Sequence, residues 1–391
     1  MRLLVVQYAG DYREAVERFS QDGDENYYAQ KYSVESVAEL GKKIEEVAVL
    51  VCRTAEPYSE RLKNGVYGIG AGFTNEDSDL RLLSLVEQQN PTHLVVCTPN
   101  RSLLKWAVRN KVKTLALFAD SFSTEGFRNK FRSFQLARLL NHPQIEWVAN
   151  HNINSARSLK AIGVNPDKIV PWDWPAVITP SLFSAKASPS SQMPWSLLYV
   201  GAITESKGVG DVLSAIAALR AKNFPVRLRI AGAGETEQFK AMAARLNISS
   251  AVEFLGLVPN PKVVHLMREA DAVVIPSRAE YLEGLPMTIY EALCSRTPIV
   301  ASDHPMFKGK LIDRTSALVF PAANSAALAE KVQLLLSEPK LYEQLSENAE
   351  VAWNQIQIPV KFADLLNHWL FDAPGRSDWI YSYRLSSGRY S

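Results

Sequence analysis

The sequence predicts an α/β protein built of two doubly wound domains. Short β-branched runs alternate with helical patterns almost throughout, as they do when parallel strands are joined by helices that cover both faces of a sheet. The alternation comes in two series, one for each domain. Between them lies a stretch rich in Ser, Pro and Ala, roughly 178–194, with little periodicity, which reads as a linker. A chain of 391 residues is also too long for one ordinary core.

In the first series the strand candidates are Leu3–Val6, Val47–Cys52, His93–Cys97, Thr114–Phe118 and Glu146–Ala149, with helical patterns between them such as Asp79–Gln88 and Ser102–Arg109. This series is assigned to a domain of residues 1–177. In the second series, 195–358, the strand candidates are Ser196–Val200, Arg227–Ala231, Val252–Leu257, Ala272–Ile275 and Pro298–Ala301. Helices Val209–Lys222, Thr236–Leu246, Pro261–Glu269 and Pro286–Cys294 intervene. Pro359 then breaks the chain. Residues 359–391 hold one short helix, Val360–Leu370, and a polar tail with Trp379, Tyr381, Tyr383 and Tyr390. Whether that tail frays or packs on the first domain stays open.

Composition excludes several classes. Hydrophobic content of 47% and charged content of 21% are those of a globular protein, and a net charge of +2 gives no bulk attraction to nucleic acid. Cys52, Cys97 and Cys294 are widely spaced and sit in apolar surroundings, so they read as buried thiols of a reducing cytoplasm. No apolar run approaches the ~20 residues of a membrane span. The start, MRLLVVQYAGD, loses its apolar run at Gln7 and meets an acid at Asp11, unlike a secretory signal. The expectation is a cytoplasmic protein, soluble or peripheral at the inner face of a membrane.

The most informative segment is Glu283-Gly-Leu-Pro-Met-Thr-Ile-Tyr-Glu291. Gly284 permits a sharp turn, Leu285 follows, and Pro286 suits a first helical position, where its missing N–H costs nothing. The N–H groups of Met287 and Thr288 would then be unpaired at a helix start, whose partial positive charge suits a phosphate. Glu291 falls on the same helix face as Thr288. A carboxylate there can accept hydrogen bonds from a diol such as a ribose. The segment has the parts of a sugar-nucleotide site.

Other loops of the second series add to it. Gly201 ends a strand, and Lys207-Gly208 opens a helix, which places a cation at a sheet edge where a diphosphate could be neutralised. Gly232-Ala-Gly234-Glu235 is a glycine turn without the third glycine of a dinucleotide fingerprint; it serves a ligand or lets a helix pack close to a strand. Phe254-Leu-Gly256-Leu-Val258 ends a strand at a bend where backbone groups could meet a nucleobase.

In this order, Gly201…Lys207-Gly208, Gly232-x-Gly234, Phe254-Leu-Gly256 and Glu283…Glu291 resemble glycosyltransferase family 4, retaining enzymes of the GT-B fold. The resemblance covers nearly the whole second domain. It implies two Rossmann-like domains facing across a cleft, with the last helix crossing back to the first. It also implies that Glu291 holds the donor ribose, that Glu283 lies near the transferred sugar and that Lys207 lies near its diphosphate. The first domain is similar more loosely, through Ala149-Asn-His-Asn-Ile-Asn-Ser155 and Lys168-Ile-Val-Pro171. Ala202 stands where the family usually has arginine, with Arg278 or Lys310 as conceivable substitutes. The central strand of the first domain ends Phe118-Ala119-Asp120 where the family has histidine; Asp120 either takes that place, accepting a sugar hydroxyl or a proton, or caps a turn. The first glycine loop is reduced to Ala9-Gly10-Asp11, in which Gly10 still permits close approach.

The resemblance thus implies a retaining hexosyltransferase that uses a nucleotide sugar, UDP-glucose or a related UDP-sugar, in polysaccharide or glycolipid synthesis. The acceptor would be a saccharide or a lipid-linked molecule, and no separate cofactor is expected. Alternatives are a catalytically weakened nucleotide-sugar-binding protein and a GT-B epimerase or phosphorylase. Asp22-Gly-Asp24 and Asp77-Ser-Asp79 follow no apolar strand, so no metal site is assigned. Phe127-Arg-Asn-Lys-Phe-Arg-Ser-Phe134 puts Phe127, Phe131 and Phe134 on one helix face among Arg128, Lys130 and Arg132. It is either a peripheral membrane contact or a core-facing helix with solvated cations. Six histidines are scattered, and His304, nearest the second sheet's edge, is assigned a core or surface place.

Overall fold

The computed structural model describes residues 1–8, 10–74, 79–123, 126–372 and 378–390. It divides into two compact units: Met1–Glu25, Ala29–Pro175 and Ile358–Ser391 form the first, and Asn26–Tyr28 with Ala176–Gln357 form the second. Each unit is one sheet with helices on both faces.

The first sheet contains β1 (Arg2–Gln7), β2 (Glu46–Val51), β3 (Tyr58–Arg61), β4 (Tyr67–Gly70), β5 (His93–Val96), β6 (Lys113–Phe118), β7 (Ile145–His151) and β8 (Ile169–Trp172). Its order is β3-β4-β2-β1-β5-β6-β7-β8, parallel except for the β3–β4 pair. Side chains alternate across a strand, and here both faces are apolar: Leu3 and Val5 of β1 join one buried cluster, Leu4 and Val6 the other.

The second sheet contains β9 (Trp195–Val200), β10 (Val226–Ala231), β11 (Val252–Gly256), β12 (Ala272–Ile275), β13 (Ile299–Ser302) and β14 (Leu318–Phe320), in the order β11-β10-β9-β12-β13-β14 and parallel throughout. Ala272 and Val274 of β12 face one cluster, Val273 and Ile275 the other. The helices named from periodicity are present with ends shifted by a residue or two, whereas Tyr12–Phe19, Gln30–Gly41, Ile153–Ala161, Ser325–Ser337 and Pro339–Ile356 were not singled out. Four strands, β3, β4, β8 and β14, carry no signal strong enough to be predicted.

The chain's last segment packs in the first unit. Ile358, Val360, Phe362, Leu365, Leu366 and Ile380 are buried in its core, and the Trp369 indole donates to Glu146 at 2.7 Å. The tail is therefore not frayed over its described part. The Ser/Pro/Ala-rich segment is not a free tether either. Its Lys186 ammonium donates to the Ala270 carbonyl at 2.6 Å, and the Ser190 N–H donates to Asp271 at 2.6 Å, so it is bound along the second unit.

The three thiols are free, and burial pushes Cys52 up to about 11 and Cys97 and Cys294 up to about 12. Cys52 packs on one face of the first sheet and Cys97 against the other. Asp22-Gly-Asp24 is a turn closing the helix Tyr12–Phe19, with the Gly23 N–H donating to Arg18 O at 2.9 Å. Asp77 lies outside the described residues. Asp79 accepts from the Asn100 amide at 3.2 Å and from the Ser102 hydroxyl. Among the described residues no group of three or more His, Cys, Asp or Glu could hold a metal ion, and no helix is long and apolar enough to cross a membrane.

Candidate functional site

Because the second sheet is parallel, the loops leaving the carboxyl ends of its strands gather on one edge. Strand order reverses between β9 and β12, and ligands of open α/β sheets bind outside such a reversal. Gly201, Lys207, Gly232, Gly234, Val258 and the 283–291 segment all lie on that edge.

The loops after β9, β10 and β11 are stitched together by backbone. The Gly201 N–H donates to Ala231 O at 3.0 Å, Ile203 N–H to Ala233 O at 2.9 Å, Glu235 N–H to Ile203 O at 2.8 Å and Gly232 N–H to Gly256 O at 2.8 Å. This spacing leaves no room for side chains. A Cβ on Gly232 (φ +145°) would stand 1.8 Å from Gly201 O, and one on Gly234 (φ +147°) 2.4 Å from Ile203 O. The glycine turn thus permits loop-on-loop contact, rather than the helix-on-strand packing offered as its plain explanation. Beyond β11, Leu257 is 72% exposed and Val258 half-buried at the bend.

Gly208, in the left-handed region at φ +77°, precedes the helix Val209–Ala221, and a Cβ there would meet Pro276 O at 2.2 Å. That close approach brings Lys207 against the loop after β12. Its ammonium pairs with Glu283 Oε2 and lies 4.4 Å from the centroid of the Tyr281 ring. Both charged side chains are nearly buried, at 13% and 11% exposure. Glu283 Oε1 is buried and has no hydrogen-bond partner among the described residues. A half-satisfied buried carboxylate is costly, and its open oxygen is a place where a ligand hydroxyl could donate.

Arg278, one of the two cations considered as a substitute at Ala202, is paired with neighbouring carboxylates. Its guanidinium makes a two-pronged contact with Asp211, Nε to Oδ2 and Nη2 to Oδ1 at 2.8 Å each, and also reaches Glu205. Ala202 offers only its carbonyl, which accepts from the buried Tyr199 hydroxyl at 2.6 Å.

The helix predicted from Pro286 runs Met287–Cys294, and Pro286 is its cap, with ψ of 141°. Proline therefore sits one position outside the helix, because its extended ψ turns the chain in from the buried Gly284-Leu285. The Ile289 N–H donates to Pro286 O at 3.0 Å, and no side chain caps this helix start. The N–H groups of Met287 and Thr288 thus stand in the first turn of this helix, before its internal hydrogen bonds begin.

Glu291 is 4% exposed, and the Asn260 amide donates to its Oε1 at 2.6 Å. Burial pushes its carboxyl up to about 8, against the lowering effect of that amide. Asn260, first residue of the helix Asn260–Glu269, was not singled out by sequence; a polar residue at a helix start reads as an ordinary cap.

Gly10 and Asp120 belong to the first unit. Gly10 has φ of +89° and its carbonyl accepts from the Gln7 amide at 2.9 Å; the next residue, Asp11, caps the helix Tyr12–Phe19. Asp120 follows β6, and burial raises its carboxyl. Its carbonyl accepts from the buried Asn150 amide at 2.9 Å.

Residues 183–352 match the family model described as glycosyl transferases group 1. Among curated relatives, the amylovoran biosynthesis glycosyltransferase AmsK of Erwinia amylovora is 28% identical over 156 residues, which is 39% of this chain and 38% of that protein. The match thus spans about two fifths of that relative's length. Among solved structures, sucrose-phosphate synthase from Thermosynechococcus elongatus superimposes with a TM-score of 0.69 at 16% identity, covering 91% of this chain and 94% of that one. Anabaena HepE in complex with UDP-glucose has a TM-score of 0.64 at 15% identity and covers 91% and 95%. The chain therefore has the two-sheet α/β fold of the GT-B glycosyltransferases, and its residues 183–352 are similar to glycosyl transferases group 1.

Proposed function

We propose that this protein is a retaining glycosyltransferase of the family 4 kind. It transfers a hexosyl unit from a UDP-sugar to an acceptor hydroxyl, without a separate cofactor, in the assembly of a polysaccharide or glycolipid. The observation that carries the reading is the buried Lys207–Glu283 pair with Glu283 Oε1 left unpartnered beside it. A cation and a free acceptor atom held together at a sheet edge suit the two ends of a sugar diphosphate: charge on one, hydroxyls on the other. UDP-glucose in complex with HepE supports the donor class, and the naming of AmsK as an amylovoran biosynthesis glycosyltransferase supports a role in a biosynthetic transfer.

In this mechanism the bond from the anomeric carbon to the diphosphate oxygen breaks, and the electron pair leaves with that oxygen. The acceptor oxygen attacks the same face of the sugar and passes its proton to the departing diphosphate. Lys207 and the helix start at Met287–Thr288 stabilise the leaving charge, while Glu283 Oε1 accepts a sugar hydroxyl. Asp120 is assigned the acceptance of a sugar hydroxyl or a proton, and Gly10 the close approach of the nucleotide sugar. Catalysis is then mostly positioning and electrostatics. A double displacement through Glu283 is disfavoured by its pairing with Lys207, which holds down the carboxylate's nucleophilicity.

The test is a thermal-shift panel of nucleotides and nucleotide sugars, followed by product analysis with the best binder. UDP and a UDP-hexose should raise the midpoint, and free UDP should appear with retained anomeric configuration in the product. Binding without any transfer or donor hydrolysis would instead favour a binding protein, to which Ala202 and the engaged Arg278 lend some weight.

We further propose that the helix Phe127–Leu140 touches an anionic membrane where a lipid-linked acceptor resides. The side chains of Phe127 and Arg128 lie outside the described residues. Phe131 and Phe134 are 57% and 64% exposed, so they do not face a core; Leu136, Ala137 and Leu140 make the buried stripe instead. Exposed Lys130 and Arg132 flank the aromatics. In flotation with phosphatidylglycerol-containing liposomes, the wild-type protein should rise with the vesicles and the Lys130→Glu, Arg132→Glu double variant should not. Equal flotation of the two removes the membrane contact.

A further inference from the structure

We infer that His304 is a positioning residue for the Lys207–Glu283 pair, acting through the backbone of Tyr281; this rests on the function proposed above. The ring is 2% exposed and packs on Phe307 with centroids 4.8 Å apart. Its Nδ1 accepts from the Met306 N–H at 3.2 Å. That bond settles the tautomer: the proton sits on Nε2, which donates to the Tyr281 carbonyl at 3.1 Å.

Tyr281 is the junction of the site. Its carbonyl also accepts from the Glu283 N–H at 2.8 Å, so one oxygen ties both His304 and the acid's own backbone. Its ring lies 4.4 Å from the Lys207 ammonium. His304 therefore anchors, from the loop after β13, the segment that carries one partner of the pair and touches the other. The connection crosses from one strand end to the next, and adds to the local turn in which the Tyr281 N–H donates to Arg278 O at 3.0 Å. The charged groups around the imidazole are Glu283 and Asp303, which favour its protonation, and Lys207, which opposes it; burial opposes it most, and keeps the neutral ring that this double contact needs.

The two nitrogens can be separated by substitution. In His304→Gln the amide NH₂ reaches toward the Nε2 place and keeps the donor to Tyr281. In His304→Asn the amide oxygen takes the Nδ1 place, keeps the acceptor for Met306 and loses Tyr281. His304→Phe keeps the packing on Phe307 and loses both bonds. The measurements are kcat and KM with UDP-glucose, UDP affinity by calorimetry and the thermal midpoint. His304→Asn and His304→Phe should each lose about tenfold or more in kcat, the scale of a small misplacement. UDP affinity should stay within about twofold, and His304→Gln should keep at least about a third of the wild-type kcat. If His304→Asn does not fold, the contrast between Phe and Gln carries the same test. Equal kcat in Asn and Gln variants, or losses that merely follow the thermal midpoint, overturns the inference. Wild-type protein that neither binds UDP nor turns over UDP-glucose overturns the functional reading, and this inference with it.

Discussion

Lys207→Ala should lower kcat by about a hundredfold or more at saturating donor, since a single preorganised charge on a developing anion is worth that much. The reason lies in where the ammonium is held. It is 13% exposed, paired with Glu283 and seated on the face of Tyr281, so it is already desolvated and aimed before any ligand arrives. Electrostatic stabilisation costs no rearrangement at the moment of reaction under those conditions. With Arg278 engaged by Asp211 and Glu205 and with Ala202 lacking a charge, neither can compensate. Lys207→Ala also leaves Glu283 without its cation, so Lys207→Ala, Glu283→Ala is the necessary companion. If the double variant turns over no worse than the single one, the two residues act as a unit. Steady-state kinetics with wild-type values for Lys207→Ala would end the assignment of this edge as the reacting centre.

Above about pH 8, where the carboxyl is ionised, Glu291→Ala should weaken UDP binding by about a hundredfold, because hydrogen bonds to a charged acceptor are each worth about 1.5–3 kcal/mol and a ribose offers two hydroxyls. The pH dependence is more diagnostic. Burial lifts this carboxyl from 4.5 to about 8 in the folded chain. Between those values the folded state holds a proton that the unfolded state has lost. Stability contributed by this group therefore falls as pH rises from 4.5 toward about 8, by a magnitude on the order of a few kcal/mol. Ribose hydroxyls donate better to the ionised form, so binding should release a proton and tighten as pH climbs through 8. Glu291→Gln should flatten both profiles, as followed by thermal midpoints and by calorimetry in buffers of different ionisation enthalpy. A UDP affinity that stays level across this range in the wild-type protein would separate Glu291 from the ribose.

What sequence could show of the fold followed from burial. Strands covered on both faces, such as β1, β2 and β12, are unbroken apolar runs and were legible. Strands β3 and β4 were not. The pair is an edge hairpin whose β3 side chains are mostly exposed, and whose β4 reads Tyr-Gly-Ile-Gly. A Cβ on Gly70 would stand 2.3 Å from the Tyr58 ring, so glycine there serves a tyrosine's packing and hides the strand's own pattern. The site divides the same way. Contiguous signals such as Gly201, Gly284 and Pro286-Met287-Thr288 were open to reading. Contacts between distant positions were not: Asn260 with Glu291, Arg278 with Asp211, and His304 with Tyr281 are made by residues whose types fit many places.

The first unit's interior borrows Ile358, Val360, Phe362, Leu365 and Leu366 from beyond the whole second unit. During synthesis the ribosome must therefore release nearly all of the chain before that interior can close. The second unit, continuous from Ala176 to Gln357 apart from three residues, is able to mature while its sibling still waits. A chain cut at Pro175 would emerge with an open wound in its hydrophobic interior and a need for chaperones.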